Sequence, residues 1–380
     1  MIGCFTELDH YLSRLVREYP IPGCDVLVMQ AHQVLYRKQY GFSDLEKQTP
    51  VTGKEQYYLF SCTKPITVAG VMRLWEEGKF ELDEPVEKWI PSFRNVYMLG
   101  SDGTKIPPKH PMTLRHLLTM TAGFDYRFTG PSVVALFESG KDFSATDFAN
   151  AAIQRPLVFD PGERFQYSIC HDLLGAVVEA ITGESFAAYQ RRVIFEPLGM
   201  ERTGFLPERG KTLTPVPLYQ CTIGDREVRR TDNPFCAGLS PHYASGGAGL
   251  VGTIEDYAKF ADAMANHGEA GNGYRLLKPA TVDLIRSEQL TLTARDPAFS
   301  CSAGHGYGYG LGVRTRIDQN EGQRSPIGEF GWDGAAGSYV MMDPQNKVSV
   351  VLTTHLLSWS LLLGTMHEPV QDAVYRALGL

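Results

Sequence analysis

The sequence predicts an α/β fold, an α+β sandwich in which an antiparallel sheet drawn from both chain ends is flanked by helices and carries an inserted, mostly helical subdomain. Three observations point to it. Strand-like segments gather near the two ends of the chain. Helix-like segments separated by loops rich in Pro, Gly and Asn fill the middle. A chain of 380 residues, 43% hydrophobic and 21% charged, has enough apolar material for a large core. The expected division is an α/β domain from residues 1–81 and 297–380 and a helical subdomain from 82–296, together one unit.

Taken in order, Glu7 to Tyr19 puts Leu8, Leu12, Leu15 and Val16 on one helical face. Cys24 to Met29 and Val34 to Tyr40 read as strands joined by Gln30-Ala31-His32-Gln33, a hairpin. Tyr57 to Phe60 leads into Ser61. Val68, Val71, Met72 and Trp75 then form the apolar stripe of a helix that Gly78 stops. Pro65 falls in its first turn, where a missing N–H costs least. Further helices are expected over Thr113 to Met120, Asp147 to Ala152, His171 to Ile181 and Ile254 to Asn266. Gly308 to Thr315, Gly337 to Met342 and Lys347 to Thr353 read as strands, and Pro369 to Leu378 as a closing helix.

Charge and composition exclude several classes. The net charge is −7, the pI is about 5.8, and no long Lys/Arg run occurs, so no nucleic-acid partner is expected. The N-terminus has neither a basic region nor an apolar one after it, and no secretory signal is expected. Seven cysteines, an odd number with no CxxC pair, fit scattered thiols in a reducing cytoplasm. Val348 to His367 carries no Asp, Glu, Lys or Arg and approaches bilayer length. Thr353, Thr354, His355, Ser358, Ser360 and Gly364 interrupt it, so a buried strand followed by a loop or helix is expected, not a membrane span.

The chemistry starts at Ser61-Cys62-Thr63-Lys64. A serine hydroxyl needs a base to become a nucleophile. Residues i and i+3 share a helical face, so Lys64 rises beside Ser61, and a dry setting lowers the lysine pKa toward a useful range. At a helix start, free N–H groups also favour an oxyanion. The plain alternative is a chance SxxK with Ser61 as an N-cap.

Further segments give the pattern a family likeness. They are Phe60-Ser61-Cys62-Thr63-Lys64, Gly78-Lys79-Phe80-Glu81-Leu82-Asp83-Glu84-Pro85-Val86, and Met112-Thr113-Leu114-Arg115-His116-Leu117-Leu118-Thr119-Met120-Thr121-Ala122-Gly123. Pro161-Gly162-Glu163-Arg164-Phe165-Gln166-Tyr167-Ser168 and Ser245-Gly246-Gly247-Ala248-Gly249-Leu250 follow in order. From about Ile21 to Pro344 the chain resembles the serine β-lactamase and penicillin-binding-protein superfamily, in particular its class C-like branch. That branch includes esterases, acyltransferases, D-aminopeptidases and DD-peptidases. The resemblance implies a β-lactamase/transpeptidase-like fold, an acyl-enzyme on Ser61, and Tyr167 facing that serine. Tyr167 would accept the serine proton as phenolate or relay it to the leaving group; the alternative is a core tyrosine bonded to a carbonyl.

Two positions depart from the β-lactamase pattern. Ile169 stands where that pattern has an Asn that contacts the substrate amide, and an apolar side chain cannot replace those hydrogen bonds. Tyr167 to Asp172, Tyr-Ser-x-x-x-Asp, looks more like the esterase and acyltransferase members. In Gly331-Trp332-Asp333-Gly334-Ala335-Ala336-Gly337, Trp332 replaces the cation and Asp333 the hydroxyl of the Lys/His-Thr-Gly motif. Trp332 would offer a flat apolar wall, or else plain packing. An Asp333 carboxylate facing a substrate carboxylate would repel it by roughly 4 kcal/mol at 4 Å and an effective dielectric near 20; the alternative is a solvent-facing loop residue. Gly334 permits close backbone approach, and the N–H groups of Ala335 and Ser61 are the expected oxyanion hole.

Weaker signals lead elsewhere. Gly247 to Gly252 matches GxGxxG, but neither a buried strand before it nor a βαβ unit around it is apparent. Cys170-His171 are helix neighbours and point apart, and Cys62 reads as packing. His116 reads as a core histidine, and His305 in its Gly-rich loop has no assigned role. No HExxH or ligand cluster occurs, so neither a metal nor another cofactor is expected. The expected activity is hydrolysis of carboxylic esters, with acyl transfer as a further capacity, on a small-molecule acyl substrate. The alternatives are a β-lactamase or D-amino-acid-specific peptidase, acting on an amide or β-lactam, and a non-catalytic penicillin-binding sensor.

Overall fold

The structure is a computed structural model. It describes residues 4–126, 130–206, 213–221, 227–233, 240, 242–290, 306–319 and 324–380. His305, Cys236, Cys301 and Pro241 lie outside the described residues.

An eight-stranded antiparallel sheet joins the two chain ends. Its order is Tyr307–Tyr309, Arg314–Arg316, Phe330–Asp333, Tyr339–Asp343, Val348–Thr354, Gly23–Gln30, Gln33–Asp44 and Thr49–Pro50. The joint is the pairing of Gly23–Gln30 with Val348–Thr354, in which Val26 faces Leu352 and Val28 faces Val350. Every residue of Val348–Thr354 is buried. A central strand covered on both faces needs no polar side, which accounts for the charge-free run there. Ala31 and His32, both at positive φ (48° and 68°), form the two-residue turn of the first hairpin. No helix among the described residues is long and apolar enough to cross a membrane.

Side chains alternate between two cores, as strand geometry requires. Val26, Val28, Tyr339, Met341, Val350 and Leu352 share one core with Leu8, Leu12 and Leu15 of helix Thr6–Glu18 and Val370, Val374 and Tyr375 of helix Glu368–Leu378. Leu27, Phe330, Trp332, Val340, Met342 and Val351 face the larger core, built with helices Thr63–Glu76, Cys170–Thr182 and Ile254–Ala265.

Two details differ from the sequence expectation. Gly308 to Thr315 is not one strand: the chain reverses at Gly310 to Val313, where Gly312 has φ 71° and the Gly310 N–H reaches the Val313 carbonyl at 2.9 Å. A side chain at Gly312 would also strike Val68 and His171. Among the described residues, the stretch expected to be mostly helical holds six short strands as well, Met98–Leu99, Lys105–Ile106, Gly204–Phe205, Leu218–Cys221, Val228–Thr231 and Leu250–Gly252. Strands of two to four residues are too short to show alternation.

His367 lies in the first core, its ring stacked on Tyr339 with centroids 4.8 Å apart. Burial, and then the Arg314 charge, push its pKa down to about 3. An unfolded histidine titrates near 6.5, so between those values the unfolded chain takes up a proton that the folded chain refuses. Stability therefore rises with pH across this window and is lost as pH falls through it. His367→Phe keeps a stacked ring without the proton. The drop in urea midpoint from about pH 7.5 to about pH 4 should be smaller in the variant than in wild type; an equal drop would show that His367 is not a source of acid sensitivity.

Candidate active site

Ser61 sits in a 3-10 turn, Phe60–Cys62, that enters the helix Thr63–Glu76. Phe60 has φ 44°, a left-handed conformation that costs a non-glycine residue on the order of 1–3 kcal/mol. Its buried ring, packed with Leu218 and Ala336, holds the turn in place. The helix behind it is tied at several points. Tyr257 donates to the Cys62 carbonyl (2.6 Å), Thr67 to the Gly246 carbonyl (2.7 Å) and Tyr189 to the Gly70 carbonyl (2.9 Å). The Leu250 N–H donates to Thr63 Oγ1 (3.1 Å).

Lys64 is fully buried. Its Nζ lies 3.1 Å from Ser61 Oγ, 2.9 Å from the Tyr126 hydroxyl and 2.7 Å from the Gly247 carbonyl oxygen. Burial lowers its pKa to about 7, against an opposing pull from Asp172. The contacts suit a neutral amine. The Gly247 carbonyl can only accept and so takes one N–H. The Tyr126 and Ser61 hydroxyls can each accept or donate, so one takes the second N–H and the other meets the lone pair, which the Ser61 proton reaches by turning away from Tyr167.

Tyr167 approaches from the other side. Its hydroxyl is hydrogen-bonded to Ser61 and accepts the Trp332 indole N–H at 3.1 Å. Trp332 stacks on the Tyr167 ring at 5.5 Å and meets Tyr309 edge-on at 5.4 Å. Only 4% of Trp332 is exposed, so it steadies the phenol more than it offers a wall. Burial pushes the Tyr167 phenol well above its usual range, although the bonds to Ser61 and Trp332 pull it down. The phenol is therefore protonated at neutral pH, which favours the relay over the phenolate.

Gly334 and Ala335 occupy the turn after Phe330–Asp333. A Cβ on Gly334 would stand 2.3 Å from the Leu59 carbonyl oxygen, so only glycine lets this turn close on the segment leading into Ser61. The Gly334 N–H is spent on the Ser338 carbonyl (2.7 Å). Among the described residues, neither the Ala335 nor the Ser61 N–H donates to a backbone carbonyl, so both are open to an oxyanion.

The other two expected residues are placed differently. Ile169 is 7% exposed and lines a small cavity with Phe124, Val133, Phe148 and Ala152. Asp333 is neither in solvent nor alone. It is 6% exposed and ion-paired with the buried Arg314 at 3.5 Å. Strand alternation turns it to the face opposite Trp332. The Arg314 guanidinium also donates to the Val340 carbonyl (3.1 Å) and covers the Tyr339 ring at 4.7 Å. Arg314 thus offsets the charge that sequence reasoning set against an anionic substrate, and that argument does not carry over.

The sequence assigns no role to Tyr126, Asp172 or Arg314, and marks Gly247 only as part of a glycine-rich wall near the active site. Asp172 and Gly247 lie inside segments that carried the family likeness, so they were marked, but their partners are distant in sequence. Tyr126 follows one such segment by three residues. Gly247 belongs to the GxGxxG match, and its carbonyl meets Lys64. No group of three or more His, Cys, Asp or Glu among the described residues could hold a metal ion.

A serine in a strained turn, a buried amine beside it and a phenol facing both stand together at one place, and the family and relatives that the chain matches make it a serine hydrolase. The beta-lactamase family model matches residues 8–363, and the chain belongs to that family. Esterase EstB of Burkholderia gladioli is 30% identical over 396 residues, covering 97% of this chain and 94% of its own. Protein Rv1367c of Mycobacterium tuberculosis is 29% identical, covering 95% of this chain and 96% of its own. Among solved structures, EstCE1, described as a hydrolase with promiscuous acyltransferase activity, superposes with a TM-score of 0.79 at 27% identity, over 97% of each chain. The simvastatin synthase LovD of Aspergillus terreus, at 22% identity, shares the fold with a TM-score of 0.81 over 98% of each chain.

Arg314→Met removes a buried cation from beside Asp333. Breaking a buried pair on one side should cost about 3–5 kcal/mol of unfolding free energy, read by urea denaturation near neutral pH. A loss under about 1 kcal/mol would show that the pair contributes little to the strand holding Trp332.

Proposed function

We propose that the protein is a carboxylesterase with a capacity for acyl transfer, and that Ser61 is its nucleophile. The observation that carries this reading is the buried Lys64 amine 3.1 Å from Ser61 Oγ, with a pKa near 7. Lys64 takes the Ser61 proton as Oγ attacks the acyl carbonyl. The N–H groups of Ser61 and Ala335 hold the oxyanion. Tyr167, kept protonated and held by Trp332, passes a proton to the departing alkoxide, and Lys64 restores it. Water or a second alcohol then attacks the acyl-serine by the reverse route.

Similarity to EstB and EstCE1 supports an ester as substrate. The residues agree. Ile169 offers no amide hydrogen bond, and an indole at position 332 offers no cation to a carboxylate. The second reading, a β-lactamase or D-amino-acid-specific peptidase, draws on the family match. A cytoplasmic location remains part of the proposal, supported by free thiols at Cys4, Cys24, Cys62 and Cys170.

The test uses p-nitrophenyl butyrate and nitrocefin, with intact-protein mass followed alongside product release. Ester turnover should depend on Ser61 and be lost in Ser61→Ala, with negligible nitrocefin hydrolysis. Rapid nitrocefin turnover would favour the second reading, and a single burst equivalent would favour a sensor. The amine works when neutral, so kcat/KM for the neutral ester should rise with pH through about 7 and be lost as pH falls through that value. Lys64→Ala should lower kcat by about 100-fold or more. A profile flat from about pH 5 to 9, or a small effect of Lys64→Ala, would contradict Lys64 as the base.

A further inference from the structure

We infer that Asp172 is a positioning residue for this proton transfer, a fixed anion that seats Gly247 against Lys64 and steadies the ammonium that Lys64 becomes when it takes the Ser61 proton. The inference rests on the reading of Ser61 and Lys64 given above.

Asp172 lies in the first turn of helix Cys170–Thr182 and is 2% exposed. Three donors converge on its Oδ1: the Tyr243 hydroxyl at 3.0 Å, the Gly247 N–H at 3.2 Å and the Ser245 hydroxyl. An oxygen that takes three donors acts purely as an acceptor, the part a carboxylate plays. The bonds fold the segment 243–247 around the acid. One residue then links acid to amine, since Gly247 gives its N–H to Asp172 and its carbonyl to Lys64 at 2.7 Å. The fit needs glycine. A Cβ at position 247 would stand 2.5 Å from Asp172 Oδ2 and 3.1 Å from the Tyr126 hydroxyl. Thr67, one turn along from Lys64, fixes the neighbouring Gly246 carbonyl.

The electrostatics agree. The titratable groups facing Lys64 are Cys62 on its own segment, Asp172, Cys170 and His171 on helix Cys170–Thr182, Asp333 on the sheet, and the phenols of Tyr126 and Tyr167. Burial holds both thiols and both phenols above their usual ranges, and His171 below its own, so these five are neutral near pH 7. The two carboxylates remain. Asp333 is ion-paired with Arg314, whereas the described partners of Asp172 are neutral donors. Asp172 is also the leading influence opposing the burial of Lys64. When the Ser61 O–H bond breaks and the Lys64 N–H bond forms, a cation appears in a dry site. A carboxylate already in place lowers the cost of that charge without reorganisation.

The sign of the effect is testable. Without the anion the ammonium is less favoured, so the Lys64 pKa falls and the amine becomes a weaker base. Asp172→Asn keeps the acceptor oxygen and removes the charge. The acid limb of kcat/KM for p-nitrophenyl butyrate should move down by about 1–3 pH units. The plateau kcat should fall about 10-fold or more. Asp172→Ser, smaller and equally uncharged, carries the same prediction should the first variant fail to fold. Asp172→Glu should return the limb toward its wild-type position. A folded Asp172→Asn or Asp172→Ser enzyme whose limb stays at the wild-type pH would overturn the inference, because a purely structural acid would lower activity without moving the limb. Turnover surviving in Ser61→Ala would instead overturn the underlying reading.

Discussion

Burying the Lys64 amine is the constraint on which the rest of the site depends. A lysine in water is an ammonium and cannot take a proton from serine. Withdrawn from water, it approaches neutrality near physiological pH. Keeping it dry requires that every atom near it be satisfied from within the protein. The Gly247 carbonyl, the Tyr126 hydroxyl and the Ser61 hydroxyl meet that need. The surrounding segments are arranged to supply those three atoms. The loop through Gly247 is gathered by Asp172, and the helix carrying Lys64 is pinned by Thr67, Tyr189 and Tyr257.

The sheet gives this arrangement its rigidity. The pairing of the chain's first strand with Val348–Thr354 fixes the position of Phe330–Asp333 two strands away. Trp332 on that strand faces the larger core and holds the Tyr167 phenol, while Asp333, one residue on, faces the smaller core and meets Arg314. The last two residues of that four-residue strand thus serve both sides of the sheet. The turn after it reaches the segment leading into Ser61 because Gly334 leaves room for the Leu59 carbonyl. The residues proposed as nucleophile, base, phenol and oxyanion donors therefore come from three separate stretches of chain, at Ser61–Lys64, Tyr167 and Ala335, brought together by one sheet and one buried helix.

Much of this was legible in the sequence. Helices Thr6–Glu18 and Glu368–Leu378 and strands Gly23–Gln30 and Val348–Thr354 lie within a residue or two of the spans that apolar periodicity marks. Ser61 and Lys64 are three residues apart, so local helical geometry is enough to bring them together. The misreadings share a physical cause. Asp333 was weighed as if it faced a ligand, but its partner Arg314 lies on a neighbouring strand that a glycine-rich reversal made hard to see. Asp172 and Gly247 are 75 residues apart, and a contact of that separation leaves no local pattern. Trp332 read as an apolar wall because its ring is apolar. Its N–H matters here because Tyr167 stands within reach, which only the fold reveals.

The most direct test of the account is the ionisation of Lys64 itself. Protein labelled with 13C at the lysine ε-carbon would be titrated by NMR, with Lys64→Arg identifying the resonance. The account predicts one lysine signal, absent from the variant, with a midpoint near 7. A Lys64 midpoint near the ordinary value of about 10.4 would mean that the amine is charged in the resting enzyme, and the base assigned to Ser61 would be wrong.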